Sequence, residues 1–401
     1  MGDDELTCDP PEILWCERAP DEAAEAGDAG DSHPIARGES STVTVTPVAP
    51  TSASVSLQRI GAWLDAGPSA TALDAREQVA ALPDAAERLE AASHLRRRPR
   101  RGDERRDWDA HQYDLWAERL LALGLTDIVV PVNLTMRPPF RGSPFLAPDD
   151  WRRLRFMVQT LSQHRYPEGQ SPRVHALCFY NLDTRFISDA SAALIDLCRR
   201  IPDIASVMLD CEEWWVGGRN HPVTAAQRRQ GAADVRTHLL DPWPAASRPA
   251  LGIGVTGLAS APPHDLMELV DYGVPQIYGS DRNMGGAVFA SAGAARRLDM
   301  VTERHHRFCE RWLTDFGSRR PRVVVGHTAR RRFIPDMDKL RLMIKGALRY
   351  SGHSTPALTG PEALYYWSVR QIYSSSGCSA EMARLTRLAR SGGLTLANVD
   401  P

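Results

Sequence analysis

Two carboxylates one residue apart, Asp210-Cys211-Glu212, close the apolar run Ile204-Ala-Ser-Val-Met-Leu and are followed by Trp214-Trp215. Side chains alternate along an extended chain, so Met208, Asp210 and Glu212 share one face while Val207, Leu209 and Cys211 share the other. The two acids then stand ~7 Å apart along the strand and point into the same space. Each opposes the other's ionisation, so one keeps its proton and a general acid stands beside an anion. Cleavage of a glycosidic bond uses that pairing. Read without catalysis, the same stretch is a solvated strand-to-helix loop. Glu213 is expected to point away from the cleft.

Rings and amides gather near the same kind of position. Trp63, Tyr180, Trp214, Trp215, Tyr278 and Trp367 fall at or beside the ends of apolar runs, where flat rings can stack on the faces of sugars. Each ring alone reads first as core packing, and it is their gathering at run ends that points to a sugar site. Asn133, Asn181 and Gln276 offer neutral hydrogen bonds to hydroxyl or amide groups, and Asp65 ends the first run. His305 and Cys309 lie one helical turn apart, but a metal site usually needs three or more ligands, so an amphipathic helix is the expected reading. No metal or other cofactor is expected. The seven cysteines include no Cys-x-x-Cys pair, which suits thiols in a reducing compartment.

The elements that must position these residues alternate. Strands are predicted at Gln58–Asp65, Asp127–Asn133, Arg173–Asn181, Ile204–Glu212, Ala250–Thr256, Val274–Tyr278, Arg322–Thr328 and Ala363–Gln371. Helices are predicted at Trp108–Leu123, Pro148–His164, Asp189–Arg200, Thr224–Leu240, Pro263–Val270, Leu298–Phe316, Asp336–Tyr350 and Ser379–Arg390. Ser188-Asp189 offers a cap for the third of these. The strands are mostly apolar, as parallel strands covered on both faces should be. This order predicts the α/β class and a (β/α)₈ TIM-type barrel spanning 55–395, with function at the C-terminal ends of its strands. A doubly wound open sheet is the runner-up, but Leu64-Asp65-Ala66-Gly67-Pro68 is no phosphate loop.

Residues 1–50 differ from the rest. Their first part is acidic and poor in large apolar groups, so it reads as a disordered tail followed by a Ser/Thr/Val/Pro linker. Ile13, Leu14 and Trp15 give it one hydrophobic anchor, and it can serve as a docking or loading address for delivery machinery. Residues 66–107 form an insertion containing Arg96-Arg97-Arg98-Pro99-Arg100-Arg101. It can hold a polyanion, although neighbouring acids make a solvated loop the simpler reading. Lys and Arg number 48 against 50 Asp and Glu, a balance that excludes a generally basic nucleic-acid binder. The acidic start lacks the pattern of a secretory signal, and no run is apolar enough to span a bilayer. The chain is expected to be cytoplasmic as synthesised, with any export using another route.

Asp210-Cys211-Glu212, Gln276-Ile277-Tyr278 and Trp367 resemble the motif positions of chitinase-type glycoside hydrolases. With Asp65 on the first strand, the pair is also similar to lysozyme-like muramidases built on the same barrel. Met208 and Gly279 stand where the chitinase pattern carries further aspartates. The resemblance implies retaining hydrolysis assisted by the substrate's own N-acetyl group, an exception to the two-carboxylate scheme. It casts Glu212 as the acid, Asp210 as the group that orients the acetamido substituent, Tyr278 as its hydrogen-bond partner and Trp367 as the floor of the site. The polymer implied is an N-acetylhexosamine polysaccharide, peptidoglycan ahead of chitin. Two other readings stay open. One is a non-catalytic barrel that binds glycan or a partner through the same mouth. The other is a small-metabolite enzyme using Arg330-Arg331-Arg332 as phosphate ligands.

Overall fold

Apolar runs become strands here with their ends trimmed. In a computed structural model of the chain, the described residues are 57–64, 117–132, 148–218, 222–277, 287–315, 322–323, 325–328, 337–353, 363–367, 369, 372 and 376–401. Asp65, Asn133, Tyr278, Arg330–Arg332, the expected tail and linker at 1–50 and the insertion at 66–107 lie outside the described residues.

The strands are β1 (Arg59–Trp63), β2 (Asp127–Pro131), β3 (Arg173–Phe179), β4 (Ile204–Asp210), β5 (Ile253–Leu258), β6 (Tyr272–Gln276), β7 (Arg322–Val323), β8 (Val325–Thr328) and β9 (Ala363–Trp367). Strands β7 and β8 are two pieces of the seventh expected strand, both paired with β6. Every pairing is parallel, and the ring closes through β1–β9 and β5–β6. Helices follow the strands: α1 (residues 117–122), α2 (Pro148–Gln163), α3 (Thr184–Arg200), α4 (Ala225–Val235), α5 (Ala294–Asp315), α6 (Met337–His353) and α7 (Ser376–Arg390). Between β5 and β6 the helix shrinks to the single turn His264–Met267. The fold is the expected (β/α)₈ barrel. Among the described residues no helix is long and apolar enough to cross a membrane.

Local chemistry accounts for the shifted boundaries. Helix α3 starts before the expected Ser188-Asp189, because Asp183 accepts a hydrogen bond from the Phe186 amide at 2.8 Å and caps the helix five residues earlier. Strand β5 begins at Ile253 because Gly252, at φ +75°, ends a turn that an L side chain would strain. Helix α4 follows its cap Thr224, the residue at which a helix was expected to begin, and passes into a π turn at Arg236–Leu240.

Two apolar layers hold the barrel. Ile128, Ala176, Val207, Leu209 and Val255 face outward onto the helices. Trp63, Val129, Leu177, Phe179, Met208 and Val274 fill the barrel itself. Beneath this inner layer, at the N-terminal end, lies a buried polar network. Asp127 Oδ2 accepts from Arg59 Nε at 2.8 Å, and Oδ1 accepts from Arg173 Nε at 2.9 Å. His175 Nε2 is 2.9 Å from Asp127 Oδ1, and its Nδ1 is 2.6 Å from Ser206 Oγ, which in turn lies 2.6 Å from the Tyr272 hydroxyl. Glycines make the room. A Cβ on Gly61 would come within 2.6 Å of the Asp127 carbonyl oxygen, and one on Gly254 would overlap the Tyr272 ring.

Candidate active site

Strand β4 carries Asp210 to the C-terminal end of the barrel, between Phe179 of β3 and Thr256 of β5 in register. The alternation expected from the sequence holds. Met208 belongs to the inner layer, while Val207, Leu209 and Cys211 pack outward. Asp210 is 1% exposed and Glu212 8% exposed. Glu212 falls just beyond the last strand residue, where its carbonyl accepts from the amides of Trp215 and Val216 at 2.8 and 3.0 Å. Those bonds turn the chain from strand into the short helix Glu213–Val216.

Gln276 completes the arrangement. Its Nε2 donates to Asp210 Oδ1 at 3.1 Å and reaches Thr256 Oγ1 at 3.5 Å. The Thr256 hydroxyl donates onward to the Val274 carbonyl at 2.8 Å. Burial pushes the Asp210 carboxyl well above the usual range, and the nearby charge of Glu212 pushes it further; the Gln276 hydrogen bond opposes both. Burial and the neighbouring carboxylate thus both favour a proton on Asp210, and the Gln276 amide favours its loss. An acid of this kind can donate a proton to a leaving oxygen while its neighbour carries the negative charge.

The other expected site residues divide. Trp63 lies inside the barrel, 2% exposed, and Trp214 is half-buried beside Glu212 in sequence. Trp367 pairs with Trp63 in register at the end of β9, though its side chain lies outside the described residues, as does that of His327. Tyr180 does not join the site. Phe179 takes the inward position, so Tyr180 points outward under α3, with its hydroxyl 3.1 Å from Ser191 Oγ and its ring against Phe186. Trp215 likewise packs in the outer layer, fully buried, and is no part of the mouth. Asn181 is buried, and its Oδ1 is engaged by the Asp183 amide at 2.9 Å, so that oxygen shapes the loop into α3.

His305 and Cys309 are both fully buried in α5. Among the described residues, no group of three or more His, Cys, Asp or Glu side chains is placed to hold a metal ion. The described cysteines, Cys178, Cys198, Cys211, Cys309 and Cys378, are free and buried. A surface cavity of 340 Å³ between α3 and the turn after α4 is lined by residues including Ile195, Arg199 and His238, and shares none with the acid pair.

Reading the sequence missed two features. Thr256 was seen only as a strand end, although a hydroxyl on an apolar strand beside the acid's strand is a signal for an orienting group. The Asp127–His175–Ser206 network was not foreseen at all. Its signal is a polar residue near the start of each of several largely apolar strands, Asp127, His175 and Ser206.

No family model matches the chain, and no curated protein matches it by sequence. Solved structures do resemble it in fold. A GH5_18 protein from Streptomyces cattleya, in complex with Manb1-4GlcNAc, superposes with a TM-score of 0.51 at 13% identity, over 72% of this chain and 77% of that one. A GH5-4 broad specificity endoglucanase from Clostridium acetobutylicum gives 0.40 at 11% identity, over 84% and 97%. An endo-1,4-beta-mannanase from Rhizomucor miehei gives 0.40 at 9% identity, over 69% and 91%. The likeness is one of fold.

Proposed function

We propose that the chain is a glycoside hydrolase of N-acetylhexosamine-containing polymers, with peptidoglycan preferred over chitin. The observation that carries this reading is the burial of Asp210 and Glu212 together at the end of the barrel where enzymes of this fold do their chemistry. The glycoside hydrolases among its fold neighbours agree with the general class.

In this mechanism Glu212 gives its proton to the glycosidic oxygen as the bond to the anomeric carbon breaks. The carbonyl oxygen of the substrate's acetamido group attacks that carbon from the other side and forms a cyclic oxazolinium ion. Asp210, ionised at that moment, orients the acetamido N–H and stabilises the positive charge. Water then opens the ring and returns a proton to Glu212, with the anomeric configuration retained. Strand seven reads Arg322-Val-Val-Val-Gly-His-Thr328 and offers no carboxylate as a covalent nucleophile, which favours the assisted route. Tyr278 is assigned as a second hydrogen-bond partner of the acetamido group and Trp367 as the floor beneath the sugar. Asp65, Asn133 and the half-buried Trp214 are assigned to substrate contacts around it.

The test is digestion of purified cell-wall sacculi and of chitin oligomers, with the fragments identified by mass spectrometry. Fragments from sacculi carrying retained anomeric configuration are expected from the wild type, and none from Glu212→Gln. Binding without fragments would favour a non-catalytic glycan-binding barrel instead.

A further inference from the structure

We propose that Thr256 is a positioning residue that acts through Gln276 to favour the form of the acid pair with Asp210 ionised and the proton on Glu212. This rests on the reading of Asp210 and Glu212 as the catalytic pair, and it follows from donor and acceptor roles. The Thr256 hydroxyl has one proton, and it is given to the Val274 carbonyl at 2.8 Å. Toward Gln276 the hydroxyl can therefore only accept, so it is the amide nitrogen of Gln276 that turns to it. The same –NH₂ group faces Asp210 Oδ1 at 3.1 Å, and it too can only donate.

A donor-only neighbour has a chemical consequence. It favours the ionised form of Asp210, and a neutral Asp210 must carry its proton on Oδ2. Of the two ways of placing one proton on the pair, the one with Asp210 charged and Glu212 neutral is the form able to protonate a leaving group. Burial and the Glu212 charge pull the other way. Thr256, buried on β5 and 0% exposed, has no direct contact with either oxygen that reacts; its effect passes through the orientation of one amide.

Thr256→Val removes the hydroxyl at nearly constant volume. Gln276 can then turn its Oε1 toward Asp210 and accept a proton from it, which traps the proton on the wrong acid. The readout is the carbonyl infrared band of neutral Asp210, isolated as the difference between wild type and Asp210→Asn with aspartate ¹³C-labelled. In Thr256→Val the titration midpoint of that band is expected to rise. Thr256→Ser, which keeps the hydroxyl, is expected to match the wild-type band. On whichever of sacculi or chitin oligomers the wild type cleaves, kcat of Thr256→Val is expected to fall about tenfold with KM unchanged, the lower end for a hydrogen bond to a charged group. If Thr256→Val does not fold, Gln276→Met should raise the same midpoint.

An unmoved band in folded Thr256→Val, an unmoved band in Gln276→Met where Thr256→Val does not fold, or no titrating Asp210 band in the wild type, overturns the proposal. Turnover by Glu212→Gln would instead overturn the catalytic reading, and the infrared arm would still decide the role of Thr256.

Discussion

At the N-terminal end of the barrel Asp127 meets two guanidinium groups and an imidazole; at the C-terminal end Asp210 meets a second carboxylate and an amide. Both carboxyls are buried inside the same ring of strands. Burial alone would raise the pKa of either. For Asp127 the hydrogen bond from His175 and the charges of Arg59 and Arg173 outweigh it and hold the carboxyl far below the usual range. For Asp210 the charge of Glu212 adds to burial, the Gln276 hydrogen bond does not outweigh them, and the carboxyl is pushed up. Surroundings and not residue type decide the state. One end of the barrel is charge-balanced, as a stabilising plug should be, while the other sets two carboxyls against each other.

The contrast breaks most visibly in activity. Glu212→Gln should lower turnover of the cleaved polymer by about 10²–10⁴-fold, the range for losing a positioned general acid. Its thermal midpoint should stay at or above that of the wild type. Steady-state assays paired with a melting curve check both parts.

The next largest effect falls at the other end. Asp127→Asn leaves Arg59 and Arg173 facing each other without their shared anion, and should cost about 3–5 kcal/mol in urea unfolding. Asp210→Asn, by contrast, removes a carboxyl whose ionisation burial and Glu212 oppose, and should leave stability unchanged or raise it while abolishing turnover.

Acidity sharpens the same comparison, because the two carboxyls act with opposite sign. Asp127 has a depressed folded pKa, so its contribution is complete above the unfolded value of about 4 and is lost as pH falls below it. Asp210 has a raised folded pKa, so its contribution is complete below about 4 and is lost as pH climbs toward that raised value. Unfolding free energies followed from pH 3 to 8 should therefore lose their acid-side fall in Asp127→Asn and part of their alkaline-side fall in Asp210→Asn.

The smallest change separates the mouth from the helix layer. Tyr180→Phe removes only the hydroxyl near Ser191 and should cost about 0.5–1.5 kcal/mol of stability, with kcat and KM unaltered.

Much of the architecture was legible in the order of apolar runs. Each expected strand exists, and the face of β4 that carries Asp210 was readable from alternation alone. Tyr180 was misplaced because ring chemistry outweighed parity. His175, Leu177 and Phe179 share one face of β3, so its neighbour Tyr180 had to turn outward. The polar plug was hidden for a different reason. Asp127 and His175 are 48 residues apart, and Ser206 and Tyr272 are 66 apart. Only strand register brings them together, and no local pattern encodes register between strands joined by helices. Gln276 was legible as an amide at a strand end. Its grip on Asp210 depends on the β5–β6 pairing, which no single run reveals.

The most direct measurement is a ¹³C NMR titration of the aspartate carboxyls, with Asp127→Asn and Asp210→Asn used to assign the two signals. The account predicts that Asp127 stays ionised well below pH 4 and that Asp210 titrates well above it. An Asp210 signal that titrates near the ordinary aspartate value of about 4 would contradict it.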